Sequence, residues 1–385
     1  MFKLNFVSDM AGIYFHIPFC KQACHYCDFH FSTSLKYREE MMAAMKCELN
    51  LRAAYLKDES VETIYFGGGT PSLLTATEIQ QLIDAVTTCY PVTVDAEITL
   101  EANPDDLDAH LLLTLRKTPV NRFSIGIQSF FEEDLRWMNR AHGAEDAEAV
   151  IKRVQDAGFE NITADLIYGY PLLTDYKWQR NIEKLLSFAV PHISAYSMTV
   201  ESQTALAAMI RKGKQRPMDD RQSAAQFEYL MDTLQDRGYQ HYEISNFAKP
   251  GFLARHNSNY WKGVAYLGIG PSAHSYDGHS RQWNVRNNIR YVRALQQGEL
   301  AYEREQLTDR DKLNEYIMTS LRTVWGLDLA VAEQQLYRTG RNGFIEALQP
   351  FVDTGEVMLN GTVATLTRKG KLKADHIAAE LFVVD

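Results

Sequence analysis

No stretch of this 385-residue chain approaches the ~18 consecutive apolar residues that a membrane-spanning helix needs. The opening MFKLNFVSDMAGIYFHIPFC lacks the basic n-region, clean apolar run and small-residue cleavage site of a secretory leader. The expectation is therefore a cytoplasmic protein. An excess of positive charge is also missing, since 40 Lys and Arg stand against 49 Asp and Glu, a net charge of −9. Such a chain makes a poor nucleic-acid coating protein, and no nucleic-acid partner is expected. Sequence repeats and low-complexity tracts are absent. An extracellular disulfide scaffold is excluded too, because the cysteines number five and three of them fall within eight residues. A reduced compartment with a metal or redox site is the better expectation.

What is present is a globular composition, 45% hydrophobic and 23% charged. A chain of this length buries roughly three-quarters of its unfolded surface and divides into about two or three domains. Short apolar runs alternate with longer helical patterns. Strands are expected at Ile13–Ile17, Val61–Phe66, Val94–Leu100, Arg122–Ile127, Ile162–Ile167 and His192–Met198. Helices follow them at Leu35–Leu56, Ala76–Cys89, Asp106–Arg116, Ala144–Ala157, Asp175–Phe188 and Asp220–Gln235. Six strand-then-helix units in succession imply a parallel sheet with right-handed crossovers. Polar and Gly-rich segments cluster just after the strands (FGGGTP, LEANP, GIQSF, DLIYGYP, YSMTVES), where such sheets bind ligands.

After about residue 240 the pattern changes to a loop-rich, aromatic stretch over Tyr242–Asn288. The last ~80 residues read as helices at Asp309–Val324, Leu329–Tyr337 and Gly343–Thr354, then a hairpin turned at Asn360-Gly361, then a final helix from about Arg368. Three divisions are expected: a core over 1–240, an extension over 241–304 and a small winged-helix-like helical domain over 305–385.

The strongest chemical signal is Cys20-Lys-Gln-Ala-Cys24-His-Tyr-Cys27, a C-x3-C-x2-C run just after the first strand. Three thiolates on one loop suit three corners of a [4Fe–4S] cube and leave the fourth iron open to a small molecule. A structural zinc site completed by His25 or His30 is the bland alternative. Haem attachment of the c type is excluded, because Asp28 rather than His follows Cys27. Cys47 and Cys89, in helices with apolar neighbours, read as small buried hydrophobes. Gly67-Gly68-Gly69-Thr70 follows the second strand without the Gly-Lys-Ser/Thr of a phosphate loop. Its glycines let backbone groups approach a ligand closely. His256 stands in HNSNYW, where the bland reading is a structural loop histidine. His16, before Ile-Pro at a strand end, reads as structural or as support behind a ligand, and His274, in the Gly-rich GIGPSAHSY, as part of a loop that helps close the binding pocket; His241 and Glu243 receive no assigned role.

The C-x3-C-x2-C loop followed by FGGGTP resembles the radical S-adenosylmethionine (SAM) superfamily. YFHIPFCKQACHYCDF, YFGGGTPSLL, EANPDD, RFSIGIQSF, NRAH, ADLIYGYP, YEISNFA and HNSNYW, in this order, resemble the branch containing oxygen-independent coproporphyrinogen III oxidase and the haem chaperones of the HemW type. The resemblance implies an α/β fold, a partial (β/α)6 radical-SAM barrel. It also implies that Cys20, Cys24 and Cys27 hold a [4Fe–4S] cluster. Tyr14, Tyr26, Gly67, Gly68, Gly69, Thr70, Glu101, Gln128, Arg140 and Asp165 are implied SAM contacts, Glu101 through the ribose hydroxyls. The oxidase resembles C-x3-C-x2-C-x-C, whereas Phe29 stands at that last position here and favours the chaperone branch. His256 in H-N-x-x-Y-W is then an implied axial haem ligand, with Tyr260 and Trp261 to stack and Arg255 or Lys262 to meet a propionate. The implied partners are haem, a haem-accepting apoprotein and an electron donor, with a homodimer and peripheral membrane contact left open. The alternative activity is decarboxylation of coproporphyrinogen III, and no catalytic residue is assigned.

Overall fold

The computed structural model describes residues 10–56, 59–340 and 342–384. The leader reading, which turns on residues 1–9, lies largely outside the described residues. Six strand-helix units come first. They are β1 (Met10–Ile17) with α1 (Arg38–Leu51), β2 (Ser60–Gly68) with α2 (Ala76–Cys89), and β3 (Val92–Ala102) with α3 (Ala109–Leu115). Next are β4 (Arg122–Gln128) with α4 (Glu132–Met138) and α5 (Ala144–Asp156), β5 (Ile162–Tyr168) with α6 (Asp175–Ser187), and β6 (His192–Ser197) with α7 (Ala205–Arg211) and α8 (Asp220–Asp236). Strands β1 to β6 pair in sequence order and in parallel, as crossover helices require. Their outward residues, such as Phe15 and Phe66 stacked at 4.9 Å, pack under the helices. The inward residues are polar or aromatic: Tyr14 and His16 on β1, Thr63 and Tyr65 on β2, Glu97, Thr99 and Glu101 on β3. This is a partial (β/α)6 barrel.

The helix expected over Leu35–Leu56 is shorter, Arg38–Leu51; Leu35 is 43% exposed and contributes nothing to its buried face. Helices α4 and α7, of seven residues each, escaped the periodicity because two turns hold too few apolar positions to show one. The stretch read as loop-rich is in fact largely ordered into short elements: β7 (Gln240–Glu243), β8 (Asn246–Ala248), α9 (Arg255–Trp261), β9 (Tyr266–Ile269), β10 (His274–Tyr276) and β11 (Ser280–Asn284). After α10 (Asn288–Gln296) comes β12 (Tyr302–Gln306). These strands join the barrel sheet at both edges, giving twelve strands in the order β12-β11-β10-β9-β1-β2-β3-β4-β5-β6-β8-β7. HNSNYW therefore lies on a helix and not on a loop. A buried polar knot fastens this wing to the barrel: Arg52, just past α1, donates to Glu48 (2.9 Å), Gln282 (2.8 Å) and Asn284 (3.1 Å).

The chain ends with α11 (Asp309–Leu321), β13 (Leu327–Asp328), α12 (Leu329–Arg338), α13 (Phe344–Asp353), β14 (Val357–Asn360), β15 (Val363–Leu366), α14 (Arg368–Lys371) and α15 (Ala374–Glu380). The three strands form a separate antiparallel sheet, β13-β15-β14. Buried apolar residues form two clusters, one spanning Ala11 to Leu295 and one spanning Leu313 to Val383. No helix among the described residues is long and apolar enough to cross a membrane.

Candidate functional site

A cavity of about 610 Å³ opens at the carboxyl ends of β1 to β6. It gathers Cys20, Cys24, Tyr26 and Cys27 from the loop after β1, Gly68, Gly69 and Thr70 from the end of β2, Glu101 from β3, Gln128 from β4, Arg140 from the segment after α4, and Asp165 from β5. Residues more than 140 positions apart meet because each crossover returns the chain to the same end of the sheet. Tyr14 and Gly67 lie against the cavity lining, beside Glu101: a β-carbon at Gly67 would sit 2.9 Å from both the Tyr14 and Tyr65 rings and 3.1 Å from Glu101 Oε1. A side chain at Gly69 would meet the carbonyl oxygens of Ile17 and Phe19 at 2.8 and 2.6 Å, so only glycine brings this backbone so close to the cysteine loop.

The side chains are held from below and between strands. Tyr65 donates to Glu101 Oε1 at 2.7 Å. Thr70 donates to Cys20 Sγ at 3.4 Å and accepts from Asn103 Nδ2 at 3.1 Å. Asn103 Oδ1 in turn takes a bond from Arg140 Nη2 at 2.5 Å, and the Gly126 carbonyl takes a second at 3.1 Å. That anchors Arg140 with Nη1 at 3.5 Å from both Cys24 Sγ and the Tyr26 hydroxyl. Ser124 donates to Asp165 at 3.3 Å. Gln128 ends β4 at φ +66°, beside an irregularity in the β4–β5 register, and that turn aims its amide inward. Among the described residues, Gln128 Oε1 and Arg140 Nε are buried without a hydrogen-bond partner. A polar ligand in this cavity would satisfy them.

Burial sets the electrostatics. It pushes the Cys20 thiol up to about 11, with the Thr70 hydrogen bond opposing. Burial likewise raises the Glu101 carboxyl to about 7; the Tyr65 hydroxyl opposes this and the Asp165 charge adds to it. Asp165 rises to about 6 by burial, against hydrogen bonds from Ser194 and Ser124. Two carboxyls poised near neutrality inside a cavity are a functional-site signature.

His256 is not in the cavity. It is 2% exposed and forms part of the barrel floor, stacked on Tyr65 at 4.8 Å. Its Nδ1 is 2.8 Å from Thr63 Oγ1 and its Nε2 is 2.8 Å from the Tyr260 hydroxyl. Both ring nitrogens are engaged, so in this arrangement His256 offers none to an iron. Helix α9 is seated there by Glu97, whose two carboxylate oxygens accept the backbone N–H of Arg255 and His256 at 3.0 Å each. Arg255 points instead to Asp95, and Trp261 packs under Arg322. The sequence reading missed Tyr65, Asn103 and Ser124. The alternation of β2 does put Thr63 and Tyr65 on the inward face, and Asn103 stands within EANPDD, so a signal for both was there.

Residues 14–185 match the Radical SAM superfamily. The haem chaperone HemW of Bacillus subtilis is 32% identical over 96% of this chain and 98% of its own length. The haem chaperone HemW of Mycobacterium tuberculosis is 34% identical over 96% and 94%. The chain belongs to the HemW family. Among solved structures, coproporphyrinogen III oxidase (HemN) from Escherichia coli, a radical SAM enzyme, superposes with a TM-score of 0.82 at 24% identity, over 98% of this chain and 92% of that one. That likeness establishes the fold.

Membership of the HemW family within the radical SAM superfamily implies SAM and a [4Fe–4S] cluster, and the residues present fit them. Three soft sulfur donors line one cavity, with Thr70 and Arg140 directed at two of the sulfurs. Among the described residues no three His, Cys, Asp or Glu side chains converge on the position of a single metal ion. A cubane asks for less convergence, since each thiolate binds a different iron corner.

Proposed function

We propose that this chain binds haem and hands it to haem-accepting apoproteins, as a chaperone of the HemW type. The observation that carries the reading is similarity over nearly the full length to two bacterial haem chaperones, at 32% and 34% identity. Phe29, where the resembling oxidase has a fourth cysteine, points the same way. In this reading Cys20, Cys24 and Cys27 hold the cluster. Tyr14, Tyr26, Gly67, Gly68, Gly69, Thr70, Glu101, Gln128, Arg140 and Asp165 hold SAM. Bound there, the cluster and SAM supply one-electron chemistry that serves as a redox or gating signal for haem transfer, and an external electron donor is required.

The chain's own residues do four things. The Thr70 hydroxyl and the Arg140 guanidinium temper negative charge at Cys20 and Cys24. Tyr65 fixes the Glu101 carboxyl, which would hold the ribose hydroxyls. The glycine run would let backbone groups reach the methionyl end of SAM. Gln128 and Arg140 bring buried, unpartnered atoms that the ligand completes. All of these residues belong to the core (1–240), which holds the cofactors; the extension (241–304) and the C-terminal unit (305–385) are the other two divisions of the chain.

The test is anaerobic reconstitution with iron and sulfide, followed by haemin titration and transfer of the bound haem to a haem-free b-type haem protein. Haem uptake and transfer without coproporphyrinogen turnover is the expected result. Stoichiometric conversion of coproporphyrinogen III to protoporphyrinogen IX would replace this reading with that of a decarboxylating enzyme.

A further inference from the structure

The Arg140 guanidinium reaches one cysteine sulfur directly, with Nη1 3.5 Å from Cys24 Sγ. Its Nη2 bonds Asn103 Oδ1 at 2.5 Å, and from there the bonds continue. Asn103 Nδ2 donates to Thr70 Oγ1 at 3.1 Å, and the Thr70 hydroxyl donates to Cys20 Sγ at 3.4 Å. A single amide thus ties two sulfurs of the cysteine loop to one cation. Cys24 meets the guanidinium itself, and Cys20 meets it through two side chains.

Every proton in this chain has one direction open to it. Arginine has donors only, so the Asn103 amide turns its oxygen to Arg140 and its NH2 to Thr70. The Thr70 oxygen then accepts, which leaves its only proton for the sulfur. Thr70 precedes a short helical turn over Pro71–Leu73, where a threonine hydroxyl ordinarily caps a free N–H; here it makes no such bond. Donors lined up head to tail from a cation polarise one another, so the charge of Arg140 acts at Cys20 as well as at Cys24.

The link is preorganised. The Asn103 backbone N–H bonds Ser72 Oγ at 3.3 Å, and its carbonyl accepts from the Asp106 N–H at 3.1 Å. Pro104, next in the chain, restricts Asn103 to extended backbone. Thr70 is 3% exposed, so water does not compete for its hydroxyl. Arg140 does not depend on Asn103 for its place, since the Gly126 carbonyl holds Nη2 at 3.1 Å.

We infer that Asn103 is a positioning residue of the cluster site: it turns the Thr70 proton onto the Cys20 sulfur, couples that bond to Arg140, and so raises the reduction potential of the bound [4Fe–4S] cluster. The inference rests on the reading of Cys20, Cys24 and Cys27 as the cluster ligands. Hydrogen bonds to cluster sulfurs and nearby positive charge favour the reduced, more negative state. One electron enters the cluster from the external donor, and no bond forms or breaks in that step. The relay therefore sets how strong a one-electron reductant the protein requires.

The test is a mediated redox titration of the full chain, reconstituted anaerobically with iron and sulfide and free of SAM. Dithionite is the reductant, and the electron paramagnetic resonance signal of the reduced cluster is the readout. Asn103→Leu keeps the volume and adds no charge while removing the relay. Thr70→Val removes the hydroxyl and keeps the shape. Each should shift the reduction equilibrium about tenfold toward the oxidised cluster, 59 mV lower for one electron, at wild-type iron content. Thr70→Ser, which keeps a hydroxyl, should restore the wild-type potential. The double variant Asn103→Leu, Thr70→Val should lie no lower than the lower of the two singles, since both remove the same bond to sulfur. Asn103→Ala repeats the measurement without new bulk. A wild-type potential in the Asn103 variants, or shifts that simply add in the double variant, overturns the relay and leaves the cluster reading standing. Iron loss in both Asn103→Leu and Asn103→Ala makes Asn103 a scaffold of the loop and overturns it likewise. Failure of wild type to assemble a cluster overturns the inference and the cluster reading together.

Discussion

Glu101 carries a titration that can be read from outside. Its carboxyl is raised from 4.5 to about 7, chiefly by burial, so the fold favours the protonated form. The associated stability is fully present below about pH 4.5 and is lost as pH rises through 7. Glu101→Gln keeps an acceptor for Tyr65 and removes the ionisation. Without SAM, the variant should match wild type in urea denaturation near pH 4.5. At pH 8 it should exceed wild type by up to ~3 kcal/mol, the free energy that separates the folded and unfolded titrations of this carboxyl. A pH-independent difference would refute the assignment. At Gly67 the surroundings are rings and a carboxylate held by hydrogen bonds, with no flexible end to yield. Gly67→Ala should cost about 1–3 kcal/mol through overpacking, seen as weakened SAM retention in equilibrium dialysis. Both residues stand in motifs that the sequence displays. Their crowding does not, because Tyr14, Tyr65 and Glu101 come from three different strands.

Helix α9 shows how an element is decided by its surroundings. RHNSNYW is only seven residues long and has no apolar period, so by itself it reads as loop. It is helical because Glu97 on β3 receives its first two N–H groups and because His256 and Ser258 are buried against the barrel. Glu97 also lies 3.9 Å from the buried Arg122. Glu97→Ala should therefore destabilise the protein by about 3 kcal/mol, since it takes the ion-pair partner from a buried arginine that keeps Asn161 and Thr163 and leaves a helix start without its acceptor. Hydrogen exchange should show residues 254–261 losing protection first. The same reasoning explains the wing: β9 to β12 are three to five residues long, too short to declare themselves, and exist because β1 offers an unpaired edge.

At the level of the whole molecule, two apolar cores are joined by Ile244, which packs against both, and by polar contacts. Arg322, just past α11, reaches Glu243 at 3.3 Å and Asp375 at 2.8 Å and lies over the Trp261 ring. Glu243 is 1% exposed, and Arg322→Ala removes its ion-pair partner and leaves it only the Ser245 and Asn246 N–H donors. The variant should split thermal unfolding into two steps, the core over Leu313–Val383 melting first, where wild type melts more cooperatively. Calorimetry would show it; a single unchanged transition would place the coupling elsewhere.

The order of strands and helices in the barrel, the cysteine loop and the glycine turn follow from sequence alone. They rest on local chemistry: period-two and period-3.6 burial, thiolates spaced on one loop, and glycine where backbone must come close. The radical SAM resemblance was legible for the same reason, since its motifs are contiguous. What only the tertiary structure decided is where single side chains end up across strands. His256 sits inside a motif that reads as a ligand, yet Thr63, Tyr260 and Tyr65 enclose it in the barrel floor. His274, read with its Gly-rich loop as closing the pocket, is absent from the cavity lining and stands exposed opposite Trp283 because β10 and β11 pair in that register. Pairing across strands is set by sheet register and edge availability, which no local pattern encodes.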